Sequence, residues 1–399
     1  MNIATQRKID RRAGILICRL FSLFNRKKPD QFKAPQIRRV LIILLSELGS
    51  LILSYPMLKR LKSKYPNATI HYLVFAQNAE ALKLLETVPD ENIFSIRSQS
   101  FFSLLKDSFS AIIGIRKRRM DVVIDCELFS RISSIFAFLS GASIMVGFHP
   151  HTQEGLYRGN FINRPVLYNP YIHISRQFFN MVEAIESDSF PLVKNELPDE
   201  QLALPHVRME KRVKDAFQKR LAADFPKILA KKLVLIYPGG GQLSIRAWPF
   251  GYYIILIRKL LEAGFNIGII GLPADSHLAQ GVIRALKSTN AFDLTGYTCS
   301  LKDLMALFHI ASLLITNDGG PVHIAALSPI PTIALFGPET PILYGSLSSN
   351  AENLFAGLSC SPCLSAYNHR NSPCDGDNVC LKSITPEKIF SVSMKYLEG

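Results

Sequence analysis

Residues 313–337, LLITNDGGPVHIAALSPIPTIALFG, constrain the fold more than any other stretch of this chain. An apolar run of strand length, a polar Asn-Asp-Gly-Gly-Pro turn, a helix-length segment and a second apolar run follow in order, which is a βαβ unit. Strands this apolar are buried on both faces, so helices must cover a parallel sheet. Gly319 and Gly320 let the backbone turn sharply and Pro321 opens a helix over 321–327, leaving its first amides pointing outward. Those amides and the helix dipole favour an anion, a phosphate above all. Neither Walker A nor G-x-G-x-x-G is present, which points to a nucleotide diphosphate held at its leaving end, as in a nucleotide sugar.

The same rhythm runs through the chain twice. In the first half a strand at 40–45 leads through the loop 46–50 to a helix at 54–65 and strands at 69–75 and 121–125. Residues 147–171, rich in Pro, Asn, Gly, His and Arg without apolar periodicity, read as a long loop over a cleft. A helix at 176–187 and a polar connector follow. The pattern then restarts with strands at 233–237, 266–271 and 293–294 and helices at 251–263, 276–287 and 301–310. With 399 residues, 48% of them hydrophobic, the chain exceeds what one core holds, roughly 250 to 300 residues. The expected division is an extension at 1–36, a domain at 37–190, a linker at 191–230 and a second domain at 231–399.

Two more segments stand in a telling order with 313–337: YPGGGQLSIRAWP at 237–249, and a cysteine-rich stretch at 360–386 that carries CSPC and ends in SITPEKI. Together they resemble the family 9 glycosyltransferases, the ADP-heptose:lipopolysaccharide heptosyltransferases and their relatives. RRVLIILLSELGSLILSYPMLKRLK, DVVIDCELFSRISSIFAFLSGA and DLTGYTCSLKDLMALFHIASLLITNDGGPVHIAA look like further stretches of that family, so the resemblance runs from about Arg38 to the C-terminus. It implies a GT-B fold, α/β with two Rossmann-like parallel-sheet domains facing a central cleft. It also implies inverting, metal-independent transfer of a sugar, heptose from ADP-heptose, onto a lipopolysaccharide core or related glycan.

Such a transfer needs a base for the acceptor hydroxyl and cations or amides for the departing diphosphate. By family position Arg246 meets the donor phosphate, where a guanidinium suits bidentate contact; otherwise it pairs with a carboxylate. Gly239, Gly240 and Ser244 add amide and hydroxyl donors beside it. Asp275 matches the acid that binds the ribose hydroxyls, or else caps the next helix. Asp318, Gly319, Gly320, Pro321 and His323 form the phosphate turn, with Asp318 ordering it or capping the helix. Relatives carry Leu-Gly-Asp at the first loop, with the Asp as catalytic base, whereas this chain has Leu48-Gly49-Ser50. Serine cannot act as a base unaided, so Glu47 is the nearest carboxylate to take over, with His149, His151 or Asp125 as alternatives. Arg131, His173 and Arg176 match basic family positions that would meet a phosphorylated or carboxylated acceptor, or else are a surface charge and a core histidine.

Four of the seven cysteines cluster as Cys360-x2-Cys363-x10-Cys374-x5-Cys380. In a reducing compartment that spacing suits a structural zinc, against free thiols or disulfides; no cofactor is expected for catalysis itself. The first forty residues hold eleven basic side chains against Asp10 and Asp30, +9 of the net +14. Ile15, Leu16, Ile17, Leu20, Phe21, Leu23 and Phe24 lie among those charges, a basic amphipathic helix suited to an anionic membrane surface or a leader packed on the fold. No RNP, KH or helix-turn-helix signature accompanies the charge, which excludes a nucleic-acid partner. No run of about 18 apolar residues and no secretory signal is present, so the expected location is the cytoplasm, peripheral on the inner membrane. The partners expected are a nucleotide sugar, a lipid-anchored glycan and that surface. The alternatives are a catalytically silent nucleotide-sugar or glycan binder, a transferase using another nucleotide sugar, or an epimerase.

Overall fold

The computed structural model describes residues 10–24, 37–45, 47–149, 157–187, 191–194, 196 and 202–398, and divides after Leu202 into two units. In the first, a π-helical turn at Asp10–Gly14 runs into α1 (Ile15–Leu23). Then follow β1 (Arg39–Ile43), α2 (Leu48–Leu53), α3 (Tyr55–Lys64), β2 (Thr69–Phe75), α4 (Ala79–Leu85), β3 (Ile93–Ile96), α5 (Phe101–Arg118) and β4 (Val122–Asp125). The unit closes with α6 (Arg131–Ser140), β5 (Ile144–Phe148), β6 (Arg164–Val166) and α7 (Ile174–Ala184). The six strands pair in parallel in the order β3-β2-β1-β4-β5-β6. Leu41, Ile43, Leu73 and Val123 on one face of the sheet pack with Ala111 and Ile115 of α5 and Phe136 and Ala137 of α6.

The second unit contains α8 (Lys211–Asp224), β7 (Leu233–Tyr237), α9 (Phe250–Glu262), β8 (Asn266–Gly271), α10 (Ser276–Leu286), β9 (Ala291–Thr295), α11 (Leu301–Phe308) and β10 (Leu313–Asn317). After these come α12 (Gly320–Ala325), β11 (Thr332–Phe336), α13 (Pro341–Tyr344), β12 (Ala351–Phe355), α14 (Val379–Lys382) and α15 (Pro386–Glu398). Its strand order, β12-β11-β10-β7-β8-β9, is the same doubly wound order read from the other edge. β7, β10 and β11 are buried at every residue, which is what helices on both faces require. In each sheet the strand order reverses at one place, between β1 and β4 in the first and between β7 and β10 in the second. Ligands of such sheets bind outside the carboxyl ends of the strands at that place.

Four expectations need correction. The helix expected at 54–65 is present as α3, but a separate short helix, α2, already begins at Leu48, so the loop expected at 46–50 is shorter and Glu47 stands directly before α2. The stretch 147–171 is not all loop, because Arg164–Val166 pairs with β5 as a sixth strand. Of the linker expected at 191–230, the part from Ala203 on belongs to the second unit and holds α8, whose Phe217 and Leu221 are buried and whose Arg220 pairs with Asp303 at 2.9 Å. The extension at 1–36 is part of the first unit over its described residues: Cys18 of α1 is fully buried and Phe21 stacks on Phe138 at 4.7 Å.

Candidate active site

The carboxyl end of β10 is organised by Asn317, a fully buried side chain. Its amide nitrogen donates to the carbonyls of Pro238 (3.2 Å) and Gly239 (2.9 Å), and its oxygen accepts from Trp248 N (3.0 Å) and Tyr253 Oη (2.9 Å). One side chain therefore uses all its capacity to tie the glycine loop after β7 to the end of β10. Trp248 holds the other end of that loop, its Nε1 donating to the carbonyls of Leu381 and Ile384. Between these anchors Gly241 has φ +60, where a side chain would be strained, and a Cβ on Gly240 would come within 2.8 Å of Leu243 O. The loop is thus folded back onto the short 3₁₀ turn Ser244–Arg246.

That turn delivers Arg246 to the sheet end. Its Nε lies 3.3 Å from Asp318 Oδ2 and its Nη2 3.0 Å from Glu339 Oε1. Arg370 reaches the same Glu339 oxygen at 3.5 Å and donates to Tyr344 Oη at 3.0 Å. The two carboxylates are almost wholly buried, Glu339 at 1% exposure and Asp318 at 6%. Burial pushes both carboxyls up, against the pull of Arg246, and Glu339 reaches about 8 with Asp318 adding to the rise. Burial opposes the charge on Arg246, yet Asp318 and Glu339 together raise its pKa. Burial thus disfavours charge on both carboxyls, while two guanidiniums, Arg246 and Arg370, stand on one Glu339 oxygen where a ligand of this sheet belongs. Glu339 Oε2 is buried without a hydrogen-bond partner among the described residues.

Asp318 therefore fits an anion site because it holds Arg246. Gly319 is extended (φ 160, ψ −168) and nothing lies within 4 Å of a Cβ on Gly320. The chain turns from β10 into α12 within these residues, as expected, and they leave open space over the start of the helix. Pro321 opens that helix and His323 is buried in it. Asp275 does not cap α10: its Oδ2 accepts the Leu272 N–H at 2.9 Å, and its charge, after burial, helps push the Tyr237 phenol up to about 12. It thus stands on the same side of the sheet as the glycine loop.

In the first unit, Glu47 follows β1 and Glu127 follows β4, both at the strand-order reversal. Ser50 Oγ donates to Glu47 Oε2 at 3.4 Å, and Glu127 Oε1 accepts the Leu45 N–H at 2.6 Å. Asp125, an alternative base, is fully buried in an ion pair with Arg158 and accepts from Ser133 Oγ, which leaves it no substrate to reach. His149 follows β5, and His151 lies outside the described residues. Arg131, expected to face the acceptor, is 2% exposed; its Nη1 pairs with Asp10 at 3.3 Å and its Nε donates to Tyr157 O. It fastens the N-terminal helix and is corrected to that role. His173 accepts the Ser175 N–H through Nδ1 at the start of α7, a helix cap, with Arg176 in the first turn beyond it.

The four cysteines form no disulfide; Cys360 and Cys374 are exposed, Cys363 half-buried and Cys380 buried. Burial and the other three raise the Cys380 thiol, so all four lie in one neighbourhood. Among the described residues no three His, Cys, Asp or Glu side chains stand at metal spacing. The loop they occupy docks on the end of β11: Cys363 N and Leu364 N both donate to Pro338 O, and the same loop carries Arg370. Glu339 and Arg370 were not singled out in the sequence. Glu339 sits two residues past the Gly that ends the apolar run 332–336, where the rule for open sheets places ligands, whereas Arg370 lies in an irregular loop with no pattern to find it by.

A family model described as glycosyltransferase family 9 (heptosyltransferase) matches residues 110–372. The chain is 24% identical over 323 residues to the lipooligosaccharide heptosyltransferase 2 of Haemophilus influenzae, covering 78% of this chain and 87% of that one. It is 22% identical over 329 residues to the lipopolysaccharide heptosyltransferase 2 of Salmonella typhimurium, covering 78% and 86%. The solved E. coli ADP-heptose lps heptosyltransferase II superposes with a TM-score of 0.68 at 19% identity, over 90% of this chain and 98% of that one. The E. coli heptosyltransferase WaaC with ADP gives 0.62 at 15%, over 90% and 99%. These likenesses show the fold class, GT-B, which has two doubly wound sheets like those found here. By the match over most of its length, the chain belongs to glycosyltransferase family 9 and is a glycosyltransferase.

Proposed function

We propose that this chain transfers heptose from ADP-heptose onto a lipopolysaccharide core or related glycan with inversion and without a catalytic metal. The observation that carries the reading is the Arg246–Glu339–Asp318–Arg370 cluster at the strand-order reversal of the second sheet, in a chain of this family. The names of its relatives, lipopolysaccharide and lipooligosaccharide heptosyltransferases, support the acceptor class, and a solved relative holding ADP supports the nucleotide.

In this reading the second unit holds the nucleotide sugar: Arg246 and the first amides of α12 take the diphosphate, and Asp275 the ribose hydroxyls. Glu47, steadied by Ser50, accepts the proton of the acceptor hydroxyl; that oxygen attacks the anomeric carbon as the bond to the diphosphate breaks, and the diphosphate leaves with the electron pair. His173 and Arg176 stand on the acceptor's unit. The acceptor is lipid-anchored, so the proposal includes work in the cytoplasm at the membrane surface. A structural zinc at the four cysteines is a separate proposal, tested by the metal content of the purified chain and of C363S; no step of transfer uses it.

A thermal-shift panel with ADP, GDP, UDP and dTDP tests the donor. A nucleotide at about 100 times its Kd adds roughly 2.7 kcal/mol to the folded state, an easily read shift. Stabilisation by ADP alone is expected; stabilisation by another nucleotide instead would move the donor. The Ser at position 50 keeps one rival alive, a silent binder, which would bind ADP yet never turn over the nucleotide sugar in the presence of acceptor.

A further inference from the structure

Three helices of the first unit lie together, α1 and α5 each packed against α6. The outer side of this layer is apolar to a degree that a water-facing surface does not need. On α5, Phe102, Leu105, Phe109 and Ile113 recur every three or four residues, with Phe101 next to the first of them, and all five are exposed, Phe102 at 77% and Phe109 at 68%. Their helix is not out of register: Ser100 and Ser103 form a capping box at its start, and Ala111 and Ile115 on its other side are buried in the core. On α1 the inward residue Cys18 is fully buried while Leu16, Leu20 and Leu23 stand out in water, Leu23 at 76%. Apolar patches of this extent mark interaction surfaces.

The charges around the patch identify the partner. Arg11, Arg12, Arg19, Lys106, Arg116, Lys117 and Arg119 are exposed. Within α1, α5 and α6 the only acidic side chain is Asp107, and Arg97 neutralises it with bonds of 2.8 and 2.9 Å. Asp10, just before α1, is taken by Arg131. Apolar side chains ringed by cations complement a surface that is apolar inside and anionic outside, a bilayer containing acidic phospholipid. A second copy of the same face would bring like charges together, which disfavours self-association.

We propose that the α1–α5–α6 layer of the first unit docks on an anionic phospholipid bilayer, with α5 inserting Phe102 and Phe109. From the proposed function this takes only that the acceptor sits on a membrane; it places the contact on a folded helix layer that joins α1 of the N-terminal extension to α5 and α6.

The test is co-sedimentation of the full chain with vesicles of phosphatidylcholine alone or with one quarter phosphatidylglycerol, across a salt series. Expected are binding at least tenfold tighter to the anionic vesicles, weakening with salt, and a tenfold or greater loss in F102E/F109E, whose melting temperature and ADP shift stay as in the parent. Equal binding to both vesicles, undiminished binding by F102E/F109E, or a parent dimer that this variant turns into monomer would each overturn the proposal. Should the variant fail to fold, F102W gives a second reading: its emission must shift to the blue on anionic vesicles only, and an unshifted spectrum overturns the proposal. Because the ADP shift is read on the same samples, failure of the nucleotide site and failure of membrane docking remain distinguishable.

Discussion

Arg246 Nη2 stands 3.0 Å from Glu339 Oε1, so the cation expected to meet a donor diphosphate is held by an acid buried to 1% exposure. The same guanidinium touches Asp318, and both acids depend on it. Replacing Arg246 by Ala therefore strands two buried carboxyls and should cost about 3–5 kcal/mol of stability. R246K keeps the charge but loses the fork, and nucleotide affinity should fall roughly tenfold, a loss of about 1.4 kcal/mol. Adding E339Q to R246A should recover part of the melting temperature while leaving nucleotide binding lost. If R246A melts like the parent, the cluster is not holding these acids.

The pH profile follows from Glu339. Its carboxyl rises from 4.5 to about 8 on folding, chiefly through burial, so between those values the native state binds more protons than the unfolded one. Stability must then fall as pH rises through that window, the reverse of an acid held by an ion pair alone. The melting temperature of the parent should decline from pH 5.5 to 8.5 more steeply than that of E339Q. Parallel profiles would mean that Glu339 is ionised throughout.

Much of this was legible in the sequence, and what was not has a physical cause. The βαβ rhythm gave the central strands of both sheets because β1, β7, β8, β10 and β11 are largely apolar runs between polar turns, whereas β6 (Arg164–Val166) and β12 (Ala351–Phe355) carry no such run and were not expected. Arg246 and Asp318 were named by their match to family positions. The turn from β10 into α12 was legible at the two glycines, but not how they serve it: Gly319 is extended, and nothing lies within 4 Å of a Cβ on Gly320. Arg131 was misread because its partner, Asp10, lies 121 residues away in sequence. Arg370 escaped altogether, since its pairing with Glu339 depends on how an irregular loop docks on Pro338, which leaves no periodic trace.

Asn317 should be irreplaceable. Alanine there leaves the buried Trp248 N–H without its acceptor, at about 1–3 kcal/mol, and leaves the Tyr253 hydroxyl only the longer bond to Tyr237 O at 3.3 Å. Chemical denaturation of N317A should show a loss of that order, with nucleotide binding weakened because the loop bearing Arg246 is freed. A variant as stable as the parent would contradict the role of this side chain as the tie between the two strand ends.

At Gly240 the effect should be local. A Cβ would stand 2.8 Å from Leu243 O and 3.0 Å from Ser244 Cα, backbone atoms that cannot step aside cheaply. G240A should lose about 1–3 kcal/mol of stability and shift Arg246 away from its partners, lowering nucleotide affinity. Isothermal titration with ADP reads this directly; unchanged affinity would mean that the loop's closure is irrelevant to the site.

The most direct test of the whole account is acceptor-dependent release of ADP from ADP-heptose, measured with a lipopolysaccharide core lacking its outer heptose, for the parent and for E47Q. The account predicts release that requires both substrates and that falls by a hundredfold or more in E47Q, in line with the usual contribution of a general base, about 10²–10⁴-fold. Release without acceptor, no release at all, or full activity in E47Q would contradict it.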